Sequence, residues 1–420
     1  MIPHFRAEFN AKFTTAAYSR LQAHLAHRCG GPVPFRVAET PIFVSEQLLN
    51  EMADQGASMA HHLIEDPPYL SNARREIPAG YDVAAQTPHP NFLTADFALV
   101  RTASGDLVPR LVEIQAFPSV FAYQLELCHA YREVFNLPQS LRVFLGGLDK
   151  ASYWELLRRT IVCNNDPENV VLTEVDPLHQ KTLPDFDITR RRLGIAVIDI
   201  GSVEPQANKL YYRDAAGRRI PIHRIYNRAI ADELIARNVN LAFDLARPWD
   251  VEWAGHPNWY FLISKYSIPY LSRSGRFPAV PPACFVDEFL QKPCDELLAS
   301  GAAEPSQTAD SRHVYDQLLL KPLFSFAGKG IEFAPTRERL QAIPPEDRKG
   351  YIVQQRMHFE PTIETPFGLT QAEIRILYLW PDSGALTPAL SLVRLGRGKM
   401  MGVDHNKNQE WVGGSAAFYV

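Results

Sequence analysis

The strongest constraint on the fold lies in the middle of the chain. "ENVVLTEVDP" is a short apolar run closed by acidic residues and proline, and it reads as a strand. "HQKTLPDFDITRRRLG" follows, entered after Pro184 and closed by Gly194, which are helix start and stop signals. "IAVIDI" is a second strand, "KLYYRDAAGRRIPIHRIYN" a hairpin and "AIADELIARNV" a further helix. Strand–helix–strand order implies a parallel α/β unit, placed at residues 155–250.

The flanking segments differ in type. Residues 1–85 read as mainly helical: "AAYSRLQAHLAHRCGG" and "SEQLLNEMADQGASMAHHLIED" carry apolar residues at helical spacing, with Ser45 as an N-cap. "YLSNARREIPAGYD" reads as a proline-marked connection. Residues 86–154 open with a hairpin, "FLTADFALVRT" and "LVPRLVEIQAF" around the turn "ASGD", then an amphipathic helix in "VFAYQLELCHAYREVF". Residues 251–420 hold "LLLKPLFSFAGKGIEF" and the β-rich runs "GYIVQQRM", "QAEIRILYLW" and "ALTPALSLVRLG".

Composition excludes some functions. A net charge of −4 argues against a nucleic-acid binder, which usually has a strongly basic face. No uncharged apolar stretch nears the ~18 residues that a membrane span requires. The charged N-terminus lacks a signal-peptide core. Five dispersed cysteines suit reduced thiols and a cytoplasmic location.

Lys321 ends an apolar run, and the turn Ala327, Gly328, Lys329, Gly330 follows. A P-loop is excluded, because Lys329 is followed by Gly330 and not by Ser or Thr. Two readings stand: an ordinary hairpin, or a phosphate site whose glycines let backbone N–H groups approach. Lys265, in "FLISKYSIP", is a second lysine on an apolar stretch, read as a β element that would flank the same turn. Asp96, Glu113 and Gln115 are candidates for Mg²⁺, a cation that takes hard oxygen ligands. Glu113 and Gln115 are two apart on one strand and so share a face. The competing reading is an exposed polar face. Arg375 and Arg394 lie inside apolar β runs, where each serves either a core ion pair or a phosphate or carboxylate. Arg228, after "RIYN", is a candidate contact for a substrate carboxylate.

"DFALVRTASGDLVPRLVEIQAFPS", "KPLFSFAGKGI" and "YIVQQRM" together resemble the circularly permuted ATP-grasp family, as in the ligase part of glutathionylspermidine synthetase. The resemblance covers about residues 90–420. It implies an α/β (α+β) ATP-grasp fold in permuted order, with an inserted pre-ATP-grasp-like domain at 155–250 and a helical N-terminal segment. It implies ATP and Mg²⁺ as cofactors, with Asp96, Glu113 and Gln115 on the metal and Lys265 and Lys321 on phosphate. Ala327 to Gly330 would form a flap, and Gln354, Gln355, Arg356 and Met357 a hinge beside adenine and ribose. Arg375 and Arg394 would be catalytic, stabilising charge. Lys399, Asn406, Gly413 and Gly414 would meet phosphate or substrate.

Two positions depart from the family pattern. Gln115 stands where asparagine is usual, and Thr94 where the synthetase has arginine. Asp404 and Asn406 form a competing D-x-N pair for the metal. The activity implied is ligation of a carboxylate to an amine through an acyl phosphate, with small molecules as partners. Small-molecule kinase and non-catalytic nucleotide binder are the alternatives.

Overall fold

The computed structural model describes residues 1–291, 315–325, 328–402, 406 and 408–420. Helices α1 (Pro3–Lys12) and α2 (Thr15–Cys29) lead to a short strand, β1 (Ile42–Val44), then to α3 (Glu46–Ile64) and α4 (Pro67–Arg74). Ser45 caps α3, its hydroxyl accepting from the Leu48 N–H at 3.3 Å. α4 corrects the reading of residues 69–82 as a connection throughout. Pro67 sits in its first turn and the Asp66 carboxylate accepts from the Tyr69 N–H, so the proline opens a helix.

The hairpin forms β2 (Phe92–Arg101) and β3 (Leu107–Gln115), followed by α5 (Phe121–Val134) and α6 (Lys150–Ile161). Ten of the fourteen residues of α5 are buried, so it is not amphipathic as expected; α2 and α7 cover the side turned away from the sheet. The middle segment runs β4 (Val170–Glu174), α7 (Leu183–Leu193), β5 (Ala196–Asp199), β6 (Glu204–Gln206), β7 (Lys209–Arg213), β8 (Arg219–Ile222), β9 (Arg224–Asn227), α8 (Ala231–Ala236) and β10 (Glu252–Ala254). Short helices α9 (Trp259–Leu262) and α10 (Ser267–Arg273) follow. The last strands are β11 (Ala283–Phe285), β12 (Leu318–Pro322), β13 (Glu332–Phe333), β14 (Tyr351–Gln355), β15 (Ile363–Thr365), β16 (Gly368–Leu379), β17 (Thr387–Gly396) and β18 (Gly413–Tyr419).

Three sheets frame the site. The largest has the order β1-β18-β17-β16-β2-β3, with β15 beside β16. The early hairpin thus pairs with strands from the far end of the chain, β2 antiparallel to β16. β1 joins the opposite edge, parallel to β18, so the N-terminal segment is not helical alone. Three residues, "IFV", are too short a run to carry a strand signal. The second sheet, β10-β9-β4-β5, is parallel throughout. β9 therefore leaves the hairpin read at "KLYYRDAAGRRIPIHRIYN", in which only β7 and β8 pair with each other. The third sheet is antiparallel, β11-β14-β12-β13.

The main sheet is covered on one face by α3, whose Leu49, Met52, Met59 and Leu63 are buried against Leu93, Ala95, Phe97, Ile374 and Ile376. Each such side chain stabilises the fold by roughly 1.5–3 kcal/mol. The other face is mixed. Phe92, Leu377, Leu379, Leu390 and Phe418 pack in the cluster that contains α5. Farther along the same strands, at the period of two that defines one face, come Asp96, Arg375 and Glu373. Helix coverage ends where this face turns from apolar to charged. Among the described residues no helix is long and apolar enough to cross a membrane.

Candidate active site

The charged half of that face borders a cavity of about 630 Å³. The size suits a small-molecule site. Its other walls are the carboxyl ends of the parallel sheet, strand β12 and the segments 356–359 and 398–402. Glu113, Gln115, Arg228, Lys265, Lys321, Gly328, Arg356, Met357, Arg375, Arg394 and Lys399 all line it. These positions span 287 residues of sequence (from 113 to 399), so the fold gathers them. Arg397, Glu174, Glu233 and Glu373 line it too. Eight Lys and Arg side chains face four Glu, an excess of four positive charges in a chain whose net charge is −4. A cavity so charged favours a polyanion.

Register explains the central cluster. Glu113 on β3 lies opposite Asp96 on β2, and Asp96 lies opposite Arg375 on β16. Glu373, two residues earlier on β16, lies opposite Arg394 on β17. Arg375 grips Asp96 with both arms of its fork, Nε to Oδ1 at 2.5 Å and Nη2 to Oδ2 at 2.6 Å. Arg394 adds Nη1 to Oδ2 at 3.0 Å and also donates to Glu373. Burial alone would raise the Asp96 carboxyl, but Arg375 and Arg394 hold it below its ordinary value. For Glu373 burial prevails and the carboxyl is raised. Burial opposes the charge on Arg394, but Glu373 and Asp96 lift it above the usual guanidinium range.

The edge strand β3 carries a bulge. Asp96 pairs with Glu113 and Phe97 with Leu111, so Val112 is the extra residue. The Val112 carbonyl accepts from Lys321 Nζ at 3.4 Å. Lys321 is 3% exposed. Burial pushes its ammonium down to about 8; Glu113 works against that shift and Lys265 with it. Lys265 Nζ donates to the Ser325 carbonyl at 2.8 Å and lies 3.6 Å from Glu113 Oε2. The expected β element at Lys265 is absent: it sits in the link between α9 and α10. Gly328 has φ +73°, a left-handed conformation that favours glycine, and it packs against the end of the Met400 side chain in the 398–402 segment.

Other predicted residues lie outside the cavity wall. Asp96 is 1% exposed and both its oxygens are held by guanidinium groups, so its carboxylate serves a buried ion pair in this structure. Among the described residues no group of three His, Cys, Asp or Glu could hold a metal ion. Glu113 and Gln115 remain, a carboxylate and an amide bordering the cavity from one strand. That pair fits Mg²⁺, which often takes one or two protein oxygens and completes its shell with water and substrate phosphate. Asn406 is buried and donates to the Met400 and Gly402 carbonyls, which makes it a pin for that loop. Gly413 and Gly414, on β18, pair with Leu395 and Arg394 on β17 and pack against Arg36, so they are strand glycines. Gln354 is fully buried between β11 and β12, and neither amide atom has a partner. Gln355 is partly buried in the same strand, and Lys329 and Gly330 are exposed in the turn. Ala327 and Asp404 lie outside the described residues.

Sequence reasoning missed Glu373 and Glu174. Glu373 carried a usable signal, because it shares a strand face with Arg375 at a spacing of two. Glu174 ends the apolar strand β4, the position where open α/β sheets place ligand contacts.

No family model matches the chain, and no curated protein matches it. Among solved structures, it is similar to a glutathione synthetase-like effector from Globodera pallida in the apo form. That match has a TM-score of 0.53 at 11% identity, covering 92% of this chain and 90% of the other. A candidate gamma-glutamylcysteine synthetase from Methylobacillus flagellatus KT matches with a TM-score of 0.38 at 13% identity, over 86% and 85% of the two chains. The chain shares the overall fold of the Globodera pallida effector across nearly its whole length.

Proposed function

We propose that the chain is an ATP-dependent ligase of ATP-grasp type, in circularly permuted order, that joins a carboxylate to an amine through an acyl phosphate. The observation that carries this reading is the convergence of Lys265, Lys321, Arg375 and Arg394 beside Glu113 on one cavity wall. The fold shared with a synthetase-like protein supports it. A substrate carboxylate would attack the γ-phosphorus of ATP, and ADP would leave. The amine would then attack the acyl carbon, and phosphate would leave.

The chain needs no covalent nucleophile for this chemistry; its residues position and neutralise. Lys321 and Lys265 both line the cavity near Glu113 and would hold the phosphates. Arg375 and Arg394, oriented by Asp96 and Glu373, would stabilise charge on the transferred phosphoryl group. Arg356 and Met357, which line the cavity, would border the base and ribose. Glu113 and Gln115 would hold Mg²⁺, which supplies charge neutralisation at the phosphates when bound. A nucleotide binder without turnover is the second reading, favoured by the full engagement of Asp96 with arginines.

Calorimetry of ATP with and without Mg²⁺, on wild type and Glu113→Ala, tests the site. The ligase reading expects Mg²⁺-dependent binding that weakens at least tenfold in the variant. Phosphate release only when an acid and an amine are both supplied then separates a ligase from a kinase. Absence of nucleotide binding under every condition would overturn the proposal.

A further inference from the structure

The strand order β10-β9-β4-β5 reverses direction between β9 and β4: β5 follows β4 on one side, and β9 and β10 extend the other. Ligands in open parallel sheets bind beyond the carboxyl ends of the strands at such a switch point. Glu174 is the last residue of β4, and Arg228 follows the last residue of β9. The Arg228 N–H donates to the Thr173 carbonyl at 2.9 Å, which ties the two ends together. Both side chains line the cavity.

Arg228 is 6% exposed, held by the Pro118 and Ser119 carbonyls and flanked by the rings of Phe117 and Phe186. Its Nε has no partner. It is the main cation acting on two buried carboxylates, Glu174 and Asp185 on α7. Asp185 Oδ1 accepts from the Tyr123 N–H, and Oδ2 has no partner. Glu174 Oε1 accepts from the Val175 N–H. Glu233, on α8, and Arg237, the residue after it ends, act on Glu174 in opposite senses. One guanidinium thus serves two buried carboxylates. Excess negative charge in a low-dielectric site is relieved by a proton or by a cationic ligand.

We propose that the carboxyl ends of β4 and β9 form the subsite of the amine acceptor, with Glu174 receiving a proton from the attacking amine. This rests on the ligase reading above. The ammonium form docks against the Glu174 carboxylate and passes it one proton, which frees the nitrogen lone pair for attack. As the C–N bond forms and the C–O bond to phosphate breaks, the leaving phosphate takes the electron pair. The second proton leaves the acylated nitrogen as the amide forms and passes to the phosphate. Burial, offset in part by Arg228, pushes Glu174 up to about 7, where a carboxylate both accepts and returns a proton near neutral pH.

The test titrates 1,4-diaminobutane, a small amine probe, into wild type, Glu174→Gln and Glu174→Asp at pH 6 and pH 8 by calorimetry. Circular dichroism checks the fold of each variant. In wild type, affinity should rise roughly tenfold between the two pH values as a carboxylate near 7 ionises. Glu174→Gln should bind at least tenfold more weakly at pH 8 and lose the pH dependence, and Glu174→Asp should recover part of both. Equal binding by Glu174→Gln, or no binding by wild type, overturns the proposal. If ATP fails to bind while the amine result holds, the ligase reading falls and the subsite stands. In turnover, Glu174→Gln should keep acid-dependent ADP formation but lose about a hundredfold in amide product. Hydroxylamine, uncharged at neutral pH, should restore product. Loss of ADP formation together with amide, with no rescue, would assign Glu174 a structural role instead.

Discussion

Asp96 and Arg375 form a buried charge pair whose removal has a calculable signature. Arg375→Met leaves the Asp96 carboxylate, 1% exposed, with only Arg394, which Glu373 also occupies. Asp96→Leu leaves two guanidinium groups, Arg375 and Arg394, with no carboxylate between them. Breaking one partner of a buried pair costs about 3–5 kcal/mol, whereas replacing both with apolar groups of similar size is often near neutral. The double variant also retains Arg394–Glu373 as a balanced pair. Hydrogen exchange of peptides from β2 and β16 measures the local opening free energy. Each single variant should speed exchange there roughly a hundredfold to several thousandfold, and the double variant should recover most of the protection. Because the Asp96 carboxyl is held below its ordinary 3.8, its contribution is present above that value and lost as pH falls further. Wild-type protection should therefore persist at pH 4. Single variants that change exchange less than about fivefold, or a double variant equal to the sum of the singles, would refute the reasoning.

Lys321 should carry a stability cost in exchange for its role. Burial pushes its ammonium down to about 8 from an ordinary 10.5, so Lys321→Met should stabilise the chain by up to roughly 3 kcal/mol below pH 8. The unfolded chain binds the extra proton between these values, so the gain should fade as pH rises from 8 to 10.5, as thermal unfolding would show. The same variant should weaken ATP binding at least tenfold. Gly413→Ala should lose about 1–3 kcal/mol of stability, because φ is +121° and the new Cβ would lie 2.6 Å from the Arg36 carbonyl oxygen. Binding by the folded Gly413→Ala protein should be unchanged, which separates a strand glycine from a substrate contact.

Element types followed from local chemistry. The helix of residues 183–193 was legible from Pro184 and Gly194, and the β2–β3 hairpin from two apolar runs around "ASGD". Chemistry-bearing residues in apolar strands were legible too, because burying Glu113, Arg375 or Arg394 without partners is costly. Pairing was a different matter. Of the two roles considered for the strand arginines, the core ion pair is present, with Asp96 gripped by Arg375 and Arg394, and both side chains also border the cavity. The ion pair of Asp96 was not legible, because its strand neighbours were read without β16. Only the register of β2 against β16 puts Arg375 opposite it.

The sequence by itself determined a parallel α/β unit, a separate β-rich region and a set of charged side chains held within apolar runs, since periodicity and capping act over a few residues. The tertiary structure decided which of those charges face one another. Long-range strand pairing set the register of β16 on β2, the direction of β1 on β18 and the meeting of β4 with β9. Those pairings join residues far apart in sequence, and no local pattern encodes the partner. Glu174 became visible only when Arg228 was placed beside the end of its strand, because a buried carboxylate takes its chemistry from the charges that share its low-dielectric surroundings.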